Sequence, residues 1–100
     1  MRNQWYKHLY DIISKYGIKE EPYGYSAKSY FYKGVWIFDR YCTDDFAFRS
    51  YDTKTHEFGE IERCHQYSYI SFTRALDATI RHVNEFLIHE KYRRIREDFE

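Results

Sequence analysis

The 100-residue chain reads as a single α+β domain, residues 1–100, with two layers. An N-terminal and a C-terminal helix flank a three- or four-stranded antiparallel sheet in the order α-β-β-β-α. Three observations predict this. Apolar residues recur at the helical period near both ends and at a period near two between them. The middle of the chain is rich in aromatic and β-branched residues, which suit a pleated surface. Short polar turns, Thr43-Asp44-Asp45 and Asp52-Thr53-Lys54-Thr55, separate the apolar runs and read as hairpin connections.

The first helix is expected from Gln4 to Tyr16, where Trp5, Leu9, Ile12, Ile13 and Tyr16 share one face. Asn3 is suited to cap it, because its side-chain oxygen can accept from the first free amides. Gly17 followed by Ile18 reads as a stop with a hydrophobic clasp. Residues 19–28 hold Pro22, Gly24 and Ser26 without a regular period and read as a connecting loop.

Strand signal runs from Ser29 to Tyr41, with Lys33-Gly34 as a turn or Gly34 as a bulge. Val35 to Phe38 is apolar on both parities, which predicts a central strand covered on both faces. Phe46 to Tyr51 and His56 to Glu62 follow as strands, and Cys64 to Phe72 as an edge strand or an extended lead-in. The second helix is expected near Thr73, capped by a Ser71 or Thr73 hydroxyl, with Phe72, Leu76, Ile80, Val83 and Leu87 as its core stripe. Packing both helices on one face of the sheet is the economical arrangement and leaves the other face partly bare.

Beyond Leu87 the stripe gives way to a new one, Ile88, Tyr92, Ile95 and Phe99, at steps of four, three and four. Residues 88–100 therefore read as a protruding helical tail. Its short heptad-like seam needs either a kink near His89, folding it back on the sheet, or a second copy or target helix.

Lys plus Arg and Asp plus Glu both total 16, yet the distribution is polarised. Residues 1–38 carry six basic and three acidic groups, whereas residues 39–62 carry seven acidic and three basic. Turn chemistry accounts for Asp44, Asp45 and Asp52 more readily than for Glu57, Glu60 and Glu62. Those six carboxylates, with Tyr41 and Tyr51 interleaved, predict a partner-binding hairpin region suited to a basic protein surface. The twelve tyrosines are consistent with it, since tyrosine is favoured both in small cores and at binding hot spots. Direct nucleic-acid binding is disfavoured by the missing basic surplus.

Catalytic and metal signatures are missing. There is no nucleophile elbow, phosphate loop or dinucleotide fingerprint, and His82, Glu85 and His89 lack the spacing of a zinc-binding pair. Cys42 and Cys64 lack paired-ligand spacing and are expected as reduced thiols without metal or other cofactor. The first fifteen residues hold no signal-peptide apolar block, and the longest apolar run is Val35-Trp36-Ile37-Phe38. A cytoplasmic protein without membrane contact is expected.

The α-β-β-β-α order, the many tyrosines and the acidic hairpins together resemble the small inhibitors encoded by phages, anti-CRISPR proteins among them. They are similar in outline to the immunity proteins that neutralise nuclease toxins. The resemblance implies a non-enzymatic inhibitor that occupies the basic, nucleic-acid-handling surface of a nuclease or CRISPR effector in the host cytoplasm. The alternatives are a structural or regulatory homo-oligomer such as a homodimer, and a small RNA-cleaving toxin, which neutral charge argues against.

Overall fold

A 3-10 turn, Trp5–His8, leads directly into helix α1, Leu9–Tyr16, so the expected first helix is α-helical only in its second half. The computed structural model describes residues 4–41 and 45–98. The Asn3 cap, Cys42, Thr43-Asp44 and Phe99 lie outside the described residues. α1 ends where expected. Gly17, at φ 73°, adopts the left-handed conformation, and the Ile18 amide donates to Ile13 O at 2.9 Å. The Gly17 amide donates to Ser14 O at 3.1 Å, completing the paired closure that a left-handed residue allows.

Six strands follow: β1 Lys19–Tyr23, β2 Ala27–Tyr32, β3 Val35–Tyr41, β4 Asp45–Asp52, β5 Glu57–Ile61 and β6 His65–Gln66. They form one antiparallel sheet in the order β1-β2-β3-β4-β5, with β6 also pairing β4. Helix α2, Tyr69–Asp98, closes the chain in 30 residues. The α+β class and antiparallel sheet match the expectation, but the sheet has more strands. β1 was hidden because it carries no apolar alternation; only Glu20 in it is partly buried. As an edge strand it tolerates Pro22, which has no amide to donate to a ladder. Polar contacts hold it: the Tyr30 hydroxyl donates to Glu20 Oε2 at 2.5 Å, and Lys28 Nζ lies 3.1 Å from Glu20 Oε1.

The Cys64–Phe72 segment resolves into the short strand β6 and a helix that begins four residues earlier than expected. Ser68 and Ser71 cap α2 reciprocally. The Ser71 amide donates to Ser68 Oγ at 3.1 Å, and the Ser68 amide donates to Ser71 Oγ at 2.9 Å. This is the capping-box arrangement with a serine at the third position.

Lys33-Gly34, with φ of 51° and 80°, forms the β2–β3 turn. The double-sided apolar pattern of Val35 to Phe38 has a different cause from the expected two-sided cover. Tyr30 pairs with Phe38 and Phe31 with Trp36, so Ile37 is the extra residue of a β-bulge. A bulge breaks the alternation locally. Ile37 and Phe38 therefore both enter the core, fully buried, while Trp36 and Asp39 bond to each other away from it.

The core joins Trp5, Leu9 and Ile13 to Tyr30, Ile37, Phe38, Phe46 and Phe48 of the sheet and to Phe72, Leu76 and Val83 of α2. Ile12, Val35, Ile80 and Leu87 pack around it half-buried. Both helices thus cover the same face. Phe72 meets Trp5 at 4.7 Å, Phe46 at 4.9 Å and Phe38 at 5.6 Å between ring centroids. The radius of gyration, 15.1 Å, exceeds the roughly 13 Å of a compact 100-residue domain. The molecule measures 59 × 28 × 25 Å because the end of α2 projects past the sheet. No described helix is long and apolar enough to cross a membrane.

Candidate interaction surfaces

The face of the sheet turned away from the helices centres on Asp39, which is 2% exposed. Its Oδ1 accepts from the Trp36 indole at 2.6 Å and its Oδ2 from the Tyr41 hydroxyl at 3.1 Å. A carboxylate can be buried only with such partners. The Arg49 guanidinium lies 4.8 Å above the Trp36 ring and donates to Trp36 O at 3.2 Å and Gly59 O at 2.9 Å. Burial lowers the Arg49 pKa. Burial first, then the bond to Asp39 and its charge, push the Tyr41 hydroxyl up to about 12. Sequence periodicity does not reveal this cluster, because the bulge at Ile37 sets which of these side chains meet.

The acidic residues expected to form one hairpin surface fall at two places. Asp45 opens β4, opposite Tyr41 and Gln66, whereas Asp52 closes the same strand. Seven steps at about 3.3 Å place them roughly 23 Å apart. Asp52 is committed locally: its Oδ1 accepts from the Lys54 and Thr55 amides at 2.8 and 3.3 Å, which lowers its pKa. Asp44 lies outside the described residues.

Glu57 and Glu60 are exposed on the edge strand β5, and Glu62 follows it, its amide donating to Phe48 O at 2.8 Å. None of the ion pairs among the described residues involves these three glutamates. Tyr51 is half-buried, and its ring stacks on His82 of α2 at 4.4 Å and 6°. Burial, then the charges of Glu85 and Asp52, raise its pKa. Further contacts carry the β4–β5 hairpin along α2: Phe58 meets Phe86 at 5.6 Å, and His56 stacks on His89 at 4.6 Å. The histidines of the second helix therefore support the hairpin. Ser50, Tyr51, Asp52, Glu57, Phe58 and Gly59 line much of a groove of about 680 Å³ on this hairpin.

The helical tail has no kink. α2 runs unbroken to Asp98, and Ile88, Tyr92 and Ile95 are 57%, 64% and 42% exposed. The expected alternative of a tail folded onto its own sheet is excluded. Cys64 is half-buried, and no group of three or more His, Cys, Asp or Glu converges among the described residues. Comparisons with protein-family models, curated proteins and solved structures return no match.

Proposed function

We propose that the protein is a non-enzymatic inhibitor whose acidic edge engages a basic, nucleic-acid-handling surface of a nuclease or CRISPR effector. The observation that carries this reading is the row of Glu57, Glu60 and Glu62, exposed on one sheet edge without a cation partner among the described residues. Like charges on neighbouring positions cost folding energy, and a basic partner offsets that cost. The edge strand is stiffened by the contacts of Tyr51, Phe58 and His56 with α2, so the carboxylates are presented on a supported element. Tyr41 at the end of β3 and Asp45 opposite it at the start of β4 would meet a second part of the same target. Tyr51, with its ring committed to His82, acts as a brace for the hairpin.

Association rates with purified nucleases and CRISPR effector complexes test the proposal. For the target that the protein inhibits, the triple variant Glu57→Lys, Glu60→Lys, Glu62→Lys should associate about tenfold or more slowly at low salt, converging with the parent at high salt. An unchanged rate at every ionic strength overturns the assignment of the edge. Inhibition of none of the targets overturns the function.

A further inference from the structure

The projecting end of α2 reverses the polarity of the helix. At about 100° per residue, the side bearing Phe72, Leu76 and Val83 continues into Glu90, Arg94 and Glu97, while Ile88, Tyr92 and Ile95 lie roughly 140° away. Because α2 is unbroken, this apolar stripe faces away from the domain's own core, and residues 91–97 are all exposed. The same flank of the stripe carries Glu85 and Arg96, eleven positions apart, which differ by only about 20° around the helix. Both are exposed, and neither takes part in an ion pair among the described residues.

We propose that this stripe is a self-association surface on which a second copy of the chain docks with its helix antiparallel. A twofold axis between residues 90 and 91 sets Glu85 of each copy beside Arg96 of the other. The same axis brings Ile88 of each copy to within one residue's rise of Tyr92 of the other. Such an interface is isologous, so each favourable pair occurs twice. The antiparallel axis sets one like pair, Lys91 against Lys91, beside its two Glu85–Arg96 pairs. A parallel arrangement instead brings Lys91 of each copy to Arg96 of the other and forms no Glu85–Arg96 pair. An anionic lipid surface is a poorer occupant, because Glu90 and Glu97 interleave with the cations of the tail. Three apolar side chains per copy fall short of the roughly 1,600 Å² of a standard interface, so the dimer is weak and concentration-dependent.

Sedimentation of the full chain over a wide concentration range tests this, with thermal melting in parallel. The parent should pass from monomer to dimer, and Ile95→Asp should remain monomeric with an unchanged melting temperature. Glu85→Arg and Arg96→Glu should each weaken dimerisation about fivefold or more, and the two together should restore it. A parent that stays monomeric throughout overturns the proposal. So does a double charge swap no better than the single ones, or an Ile95→Asp variant that loses melting temperature without changing association. Pelleting of a monomeric parent with phosphatidylserine vesicles, abolished by Ile95→Asp, overturns it in favour of lipid. These substitutions leave Glu57, Glu60 and Glu62 untouched, so the outcome is independent of the inhibitor reading.

Discussion

Truncating Phe72 to alanine should remove the keystone that joins α2 to the sheet. The side chain is fully buried, and its ring lies between 4.7 and 6.3 Å from those of Trp5, Phe46, Phe38, Phe48 and Tyr67. Buried Phe→Ala changes cost about 3–5 kcal/mol, from lost transfer energy and the cavity that remains. Rings anchored on two strands, the 3-10 turn and the β6–α2 connection cannot collapse into that cavity, which places Phe72→Ala near the upper end, about 4 kcal/mol. At roughly 4–8 °C per kcal/mol for a domain of this size, the melting temperature falls by about 15–30 °C. Phe72→Leu retains most of the volume and should lose about 1–2 kcal/mol. Tyr25→Ala, at a fully exposed turn position, should stay within about 0.5 kcal/mol. Urea titration followed by circular dichroism measures all three. A Phe72→Ala loss below about 2 kcal/mol, or one equal to that of Phe72→Leu, refutes the picture of a rigid aromatic hub.

Trp5→Phe should destabilise by about 2 kcal/mol, because it removes the 2.8 Å bond from the indole to Tyr67 O as well as ring area. Urea unfolding checks it, and a loss indistinguishable from zero would show that the bond holds nothing. The Tyr41 hydroxyl, raised to about 12, should remain protonated well above pH 10, as ring-carbon NMR titration can follow. A folded pKa above the unfolded one means that its contribution to stability is complete below about pH 10 and is lost as pH rises through 12. Asp39→Asn should bring that titration only part of the way back, since burial is the larger cause. Tyrosinate forming at Tyr41 near pH 10 in the parent would contradict the buried pairing.

Interactions local in sequence were the legible ones. The stop at Gly17, the turn at Lys33-Gly34 and the stripe through Leu76 and Val83 each arise from residues within a few positions of one another. β1 was not legible, because its place comes from the hydroxyls and the ammonium that reach Glu20 and not from apolar spacing. The burial of Asp39 depends on a one-residue bulge, and periodicity cannot distinguish a bulge from a strand covered on both sides. The acidic residues stand out in composition as a group, but their division between the two ends of β4 follows from register, which composition does not encode. The tail seam was visible as spacing; that it faces outward required the helix to be continuous.

The strand order has a kinetic consequence. From β1 to β5 every strand pairs with its neighbour in sequence, so most of the ladder assembles by closing short loops, each at small entropic cost. Closures between the ends of the chain are of another kind: the indole of Trp5 reaches Tyr67 across 62 positions and lies against Phe46 and Phe72. That contact can form only after β4 has joined the sheet and α2 has settled on it. On contact order the 3-10 turn bearing Trp5 therefore docks late, sealing the aromatic core like a stopper. Until it does, the rings of Phe46 and Phe72 face water on that side.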